Sequence, residues 1–251
     1  MTIEKKYSLR GKKVLVTGAG RGIGKACAEI LAMAGAEIIL NARTEQELEK
    51  VKNKIINYGE KASVYVADLY SMEAIDYLEK IGPFHILVNN AGTNIPEHFF
   101  DVTEDRFDKI LNLNVKSAFF IAQKVAKGMV KAKIGGSIIN ISSQMGIVGG
   151  RNRTVYCTSK HAMEGMSKSM ALDLAEKGIK VNTICPTYIE TEMIKPFMKD
   201  KDFKNYVLDR IPLGHLGKTE DVADAVLFLA SDMSKMITGS SIKVDGGWTA
   251  I

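Results

Sequence analysis

Seven short runs of aliphatic and β-branched residues recur along this chain, and the stretches between them carry apolar residues at helical spacing. The runs are Lys13–Val16, Glu37–Asn41, Ser63–Val66, Ile86–Val88, Ile138–Ile141, Val181–Ile184 and Ser241–Val244. After the first, Ile23, Cys27, Ile30, Leu31 and Ala34 share one helical face. After the second, Thr44 stands as an N-cap with Glu47 three residues on, which predicts a capping box, and Leu48, Val51, Ile55 and Ile56 form the stripe behind it. Further helices are predicted at about 104–130, 154–177 and 219–231. Strands alternating with helices predict an α/β fold, a mostly parallel seven-stranded sheet doubly wound with helices on both faces. No linker or repeat divides the chain, so one domain over 1–251 is expected. Such sheets bind ligands beyond the carboxyl ends of their strands. The functional residues should therefore follow the strand runs, where the glycine, asparagine, serine and proline residues cluster.

Composition excludes several classes. No apolar run approaches the roughly 18 residues of a membrane helix, and Met1–Lys13 has no apolar core, so neither a membrane anchor nor a secretory signal is expected. Cys27, Cys157 and Cys185 are scattered and odd in number. They make neither a disulfide framework nor a metal-ligand spacing, so a cytoplasmic location and no metal are expected. The net charge of +5 is spread along the chain without a basic block interleaved with aromatics. A nucleic-acid partner is not expected, while small anionic ligands are favoured.

The run Thr17-Gly18-Ala19-Gly20-Arg21-Gly22-Ile23-Gly24 follows the first strand and opens the first helix. Glycines allow a tight turn and let backbone N–H groups approach an anion, and the helix N-terminus adds positive potential. In this context the turn reads as a nucleotide site. Its spacing, G-x-x-x-G-x-G, together with Asn89-Asn90-Ala91-Gly92, Ser143 and Tyr156-Cys157-Thr158-Ser159-Lys160, resembles the classical short-chain dehydrogenase/reductase family. Asn114 in Leu113-Asn114-Val115-Lys116-Ser117 adds a fifth match, and the resemblance runs from about Gly11 to Gly247.

The resemblance implies a Rossmann-type domain that binds a nicotinamide dinucleotide. It places Gly18, Arg21 and Ile23 at the phosphate turn, and Asp68 with Leu69 at the adenine. Asn90, Ala91 and Gly92 would pass the ribose, and Pro186, Ile189 and Thr191 would frame the nicotinamide. Thr187 stands where the family commonly has glycine, which leaves the local backbone path open. At the end of the second strand an acidic residue would bind a ribose 2′-hydroxyl. Here Asn41 is neutral, with Arg43 two residues on and Arg21 in the turn. A guanidinium holds a 2′-phosphate where a carboxylate would repel it. NADP(H) is therefore favoured. NAD(H) stays as the alternative, in which Arg43 is a solvated loop arginine.

Tyr156 and Lys160 stand four apart on a predicted helix and so share a face. An exchangeable proton near neutral pH is needed at the substrate oxygen, and free tyrosine, with a pKa of about 10, is too weak an acid. Tyr156 is assigned as general acid–base, with Lys160 lowering its pKa and holding the ribose hydroxyls. Ser143 would hydrogen-bond the substrate oxygen. By resemblance, Asn114 would position a water that passes protons from Lys160 to solvent. Gln144 and Arg153 stand near the tyrosine, and their polarity suits a hydroxylated or carboxylated substrate, although the arginine could equally be solvated.

The segment at about 190–215 interrupts the alternation and reads either as a mobile substrate lid or as a packing element. The sequence is similar to sugar, sugar-acid and polyol dehydrogenases. The 3-oxoacyl-carrier-protein reductases are the second reading, and a catalytically silent dinucleotide-binding protein is the third. A homotetramer is expected by resemblance.

Overall fold

The computed structural model describes residues 2–250. A short helix α1 (Ile3–Tyr7) precedes β1 (Lys13–Thr17), α2 (Gly22–Met33), β2 (Glu37–Ala42), α3 (Glu45–Asn57), β3 (Ala62–Val66), α4 (Met72–Ile81) and β4 (Ile86–Asn89). The second half runs α5 (Glu104–Leu111), α6 (Ala118–Lys131), β5 (Gly136–Ile141), α7 (Thr154–Leu174), β6 (Ile179–Pro186), α8 (Lys201–Asp209), α9 (Thr219–Ala230) and β7 (Ser241–Val244). The seven strands form one sheet in the order β3-β2-β1-β4-β5-β6-β7, every pairing parallel.

The period of two along each strand builds the two layers. Val14, Val16, Ile38, Leu40, Ile86 and Val88 point to one face, where Leu31, Leu48, Val51 and Val226 of α2, α3 and α9 cover them. Leu15, Ile39, Leu87 and Ile138 point to the other, under Ile75 and Leu78 of α4, Ile121 and Val125 of α6, and Ala171 of α7. A chain buried on both faces needs uninterrupted apolar runs, which is why these strands read as runs rather than as alternation. The strand order reverses between β1 and β4, and the crevice outside their carboxyl ends is where such sheets hold ligands.

Three local expectations change. Thr44 occupies the N-cap position of α3, but its side chain makes no capping hydrogen bond. Glu47, instead of closing a capping box, lies beside the glycine turn with its carboxylate 3.6 Å from Arg21 Nη1. The predicted helix at 104–130 is broken by a π-helical turn over Asn112–Ser117 between α5 and α6. Such a turn inserts one residue and re-aims the side chains on it, and Asn114 lies within it. The predicted helix at 154–177 ends as α-helix at Leu174 and closes in a 3₁₀ turn.

Candidate active site

The glycine turn is shaped by a backbone that side chains would obstruct. Gly18 has φ +65°, and a Cβ at Gly24 would stand 2.2 Å from the Gly18 carbonyl oxygen. The turn is stitched to the loop after β4. Thr17 Oγ1 accepts from the backbone N–H groups of Asn90 and Ala91, both at 2.9 Å. Asn90 Nδ2 donates to the Thr17 carbonyl at 2.9 Å and to the Gly18 carbonyl at 3.2 Å. The Asn90 amide therefore fixes the two loops against each other, while its edge still faces the cleft.

That cleft, of about 500 Å³, is lined by Gly18, Arg21, Ile23, Asn41, Arg43, Asp68, Leu69, Asn90, Ala91, Gly92 and Thr191. Apart from Thr191, expected at the nicotinamide, these are the residues expected at the dinucleotide's phosphates, riboses and adenine. Asn41 is buried, its Nδ2 donating to the Tyr65 carbonyl at 2.9 Å, while its Oδ1 has no partner. Arg43 reaches across the rim to Asp68, with 3.9 Å between Nη1 and Oδ2, and both side chains are exposed. The bare glycine turn and the open amide oxygen at the end of β2 fit a dinucleotide along this groove.

A second cleft of about 430 Å³ continues from the first through Ile23, Asn90, Gly92, Thr191 and Met193. Its walls bring together Ser143, Gln144, Arg153, Tyr156, Lys160, Pro186 and Ile189. Ser143 follows β5. Its Oγ donates to Gln144 Oε1 at 2.7 Å and accepts from the Met145 N–H at 3.1 Å. Tyr156 lies on the first turn of α7, with its phenol pushed up to about 12 by burial, against the opposing pull of its contact with Ser143. Lys160 is buried one turn on, its Nζ 5.6 Å from the Tyr156 ring centre and donating to the Ile141 carbonyl at 2.8 Å. Burial pulls this ammonium down to about 8. The lysine thus anchors on the end of β5 and faces the tyrosine ring without touching its hydroxyl.

Asn114 lines neither cleft. Its Oδ1 accepts from the Thr93 N–H at 2.8 Å, and its Nδ2 donates to the Thr93 carbonyl at 2.8 Å and to Ser159 Oγ at 3.0 Å. It ties the Gly92–Thr93 loop to α7 from behind. Sequence reasoning assigned no site role to Thr17, Thr93, Met145 and Tyr188, while Asn94, which the sequence offers as a polar contact after Asn89-Asn90-Ala91-Gly92, does line the second cleft. Thr17 was visible as the residue that opens the glycine turn, whereas Thr93, Met145 and Tyr188 reach the site only through the fold. Arg151 lies outside both clefts. Arg153 lines the second cleft, with a buried Nε that has no partner.

Comparison with known proteins is decisive on ancestry. The family profile described as enoyl-(acyl carrier protein) reductase matches residues 18–249. L-xylulose reductase of Mus musculus is 38% identical over 96% of this chain and 98% of that one. This chain belongs to the short-chain dehydrogenase/reductase family. Within that family, the 3-oxoacyl-[acyl-carrier-protein] reductase of Thermotoga maritima is 37% identical over 95% of this chain and 98% of its own. A gluconate 5-dehydrogenase from Burkholderia cenocepacia, crystallised with NADP and tartrate, superposes with a TM-score of 0.94 at 31% identity, covering 100% of each chain. The protein is an oxidoreductase of this family, and its Rossmann-type sheet is the family's fold. Among the described residues no helix is long and apolar enough to cross a membrane.

Proposed function

We propose that this short-chain dehydrogenase/reductase interconverts a secondary alcohol and a ketone on a short polyhydroxylated substrate, a sugar, sugar acid or polyol, with NADP(H) preferred. The observation that carries the reading is the polar wall around the catalytic pair. Ser143, Gln144, Asn94, Arg153 and Thr187 line one cleft with Tyr156 and Lys160. These groups can hydrogen-bond the hydroxyls of such a substrate, and the similarity to L-xylulose reductase supports the same class.

When bound, the nicotinamide supplies or accepts the hydride. The chain's own residues handle the proton and the charge. Tyr156 exchanges a proton with the substrate oxygen, Ser143 hydrogen-bonds that oxygen as charge develops on it, and Lys160 presents a cation beside the phenol. Arg43 and Arg21, at the rim where a carboxylate would favour NAD(H), support the NADP(H) preference. The relative crystallised with NADP supports it too.

Met193, Ile194, Phe197 and Phe203 from 190–215 face the substrate cleft, which supports a lid that closes over the substrate. Phe203 also packs on Tyr188, with ring centres 5.7 Å apart, so the segment both packs and covers. The three cysteines are free, which supports a reducing, cytoplasmic location. The similarity to a 3-oxoacyl-carrier-protein reductase favours that activity as the second reading.

The test is NADPH and NADH oxidation with a panel of ketoses, keto-sugar acids and acetoacetyl thioesters. Turnover of the sugar-like ketones at least tenfold above the thioesters bears the proposal out. Preference for the thioesters turns it to the second reading, and NADPH binding with no turnover of any ketone turns it to the silent one.

A further inference from the structure

Arg153 immediately precedes α7, three positions ahead of Tyr156, and its side chain is partly buried on the wall of the substrate cleft. The backbone before it is fixed. Asn152 has φ +56°, in the left-handed region that asparagine enters more readily than most residues. Its carbonyl accepts from the Glu97 N–H at 3.0 Å, which ties it to the loop after β4, and from Arg153 Nη1 at 3.0 Å. One end of the guanidinium is therefore moored to a fixed carbonyl.

The rest of the group is not engaged by the chain. Arg153 makes no capping bond to α7, and its Nε is buried without a partner. The two arginines of the dinucleotide cleft each stand against a carboxylate, Arg21 at 3.6 Å from Glu47 and Arg43 at 3.9 Å from Asp68. Among the described residues Arg153 pairs with no Asp or Glu. Glu97, whose N–H meets the same Asn152 carbonyl, directs its carboxylate to Arg106. A guanidinium stays charged throughout the working pH range, and taking it partly out of water without an anion is costly. An ion pair completed by the substrate offsets that cost.

The cleft as a whole favours an anion. Among the described residues its walls carry two basic side chains, Arg153 and Lys160, and neither aspartate nor glutamate. Asn94 Oδ1 and Thr187 Oγ1, on the same walls, are also buried without partners, so hydrogen-bonding capacity remains for hydroxyls beside the charge. The planar fork of a guanidinium matches a carboxylate through two parallel N–H···O bonds.

We propose that Arg153 selects the substrate by charge: the preferred substrate is a short oxo acid of the sugar-acid class, with its carboxylate on the Arg153 guanidinium and its reacting carbonyl at Ser143 and Tyr156. The proposal rests on the reading of a polyhydroxylated substrate and narrows it to the acids.

The test measures kcat/KM with NADPH in full-length wild type, Arg153→Gln and Arg153→Lys. The substrates are the 2-, 3- and 5-oxogluconates, the neutral ketohexoses fructose and sorbose, and fructose 6-phosphate. Wild type should favour the best oxogluconate over the better ketohexose by at least tenfold. Losing a charge-assisted pair of this kind costs on the order of tenfold to a hundredfold. The acid-to-ketohexose ratio in Arg153→Gln should fall by that factor, mainly through KM for the acid. Arg153→Lys keeps the charge without the fork, and its ratio should fall less. Wild type that prefers the ketohexoses, or an Arg153→Gln protein with an unmoved ratio, overturns the proposal and leaves the polyhydroxylated reading standing. Fructose 6-phosphate turned over as well as the acids overturns the assignment of a carboxylate. Turnover of none of these compounds by wild type refutes the functional reading and the proposal with it. Should Arg153→Gln fail to fold, inhibition of wild type decides. Gluconate must compete at least tenfold more tightly than sorbitol, and equal inhibition overturns the proposal.

Discussion

Tyr156 and Phe differ by one oxygen, so Tyr156→Phe keeps the packing on the cleft wall and removes the hydroxyl proposed to exchange a proton with the substrate oxygen. General acid–base catalysis contributes about 10²–10⁴-fold. The variant should lose at least that much in kcat while NADPH affinity stays within threefold, and activity within threefold of wild type would refute the role of Tyr156. Arg43 sets the second prediction. A charge-assisted hydrogen bond from arginine to a 2′-phosphate contributes about 1.5–3 kcal/mol, on the order of tenfold to a hundredfold in preference. Arg43→Asp should shift the NADP(H)/NAD(H) ratio of kcat/KM toward NAD(H) by that order. Arg43 also pairs with Asp68, but an exposed pair of this kind is weak and does not hold the arginine back from a phosphate. Lys160 provides the third. Its ammonium falls from the ordinary 10.5 to about 8 on burial, on the order of 3 kcal/mol against the charged folded state. Below pH 8 both folded and unfolded chains hold the proton and the whole penalty stands. Between about 8 and 10.5 only the unfolded chain still holds it, so the penalty fades as pH rises. Lys160→Met should therefore be stabilised relative to wild type at pH 7, and that advantage should shrink by pH 10. An advantage that stays constant with pH in urea unfolding would refute this account.

At the scale of elements, the sheet's centre is tied to its helices by a line of buried amides. Asn89 Nδ2 donates to the Ala118 carbonyl at 2.9 Å and to Asn140 Oδ1 at 3.1 Å, and Asn140 Nδ2 donates to Ser167 Oγ at 2.8 Å. The line crosses β4 and β5 and joins the start of α6 to the middle of α7, the helix that carries Tyr156 and Lys160. Asn140→Ala removes a fully buried partner from both neighbours and leaves a small void. A cost of about 2 kcal/mol is expected, read as a lower urea midpoint with an unchanged slope. The π-helical turn at Asn112–Ser117 has a similar architectural role. It sets Asn114 behind the Gly92–Thr93 loop, where both ends of its amide are used, so the site's floor is fixed by an irregularity between α5 and α6.

On the scale of the whole molecule, apolar side chains remain uncovered on α5, α6 and α7. Phe107 is 40% exposed, Phe119 40% and Leu172 80%. A second copy of the chain is the expected cover, in keeping with the homotetramer proposed by resemblance. Light scattering at micromolar concentration should give a mass several times 27.5 kDa, and Phe119→Asp combined with Leu172→Glu should reduce it. A monomeric wild type would refute this. Two other apolar residues are covered within their own chain. Met163 is fully buried in its own chain. Trp248 packs at home against Tyr188, with ring centres 5.5 Å apart, and beneath Arg210.

The sequence by itself determined the layers, the strand count and the motif positions, because those rest on local periodicity and on short motifs whose residues act near where they stand. A period of two assigns Val14 and Leu15 to opposite faces whatever lies elsewhere, and the glycines of 18–24 permit a turn that few other residues could make. Only the tertiary structure decided what distant residues do to one another. It placed Glu47 beside Arg21 instead of in a capping box, made the Asn90 amide a tie between two loops and the Asn114 amide a tie from a loop to α7, and converged Thr183, Cys185 and Ser241 on Glu164. No spacing in the chain announces these contacts, since they join elements brought together by the sheet. Their strength depends on burial, which is a property of the folded whole: the same carboxyl or ammonium that would be ordinary in water becomes decisive once the core excludes solvent from it.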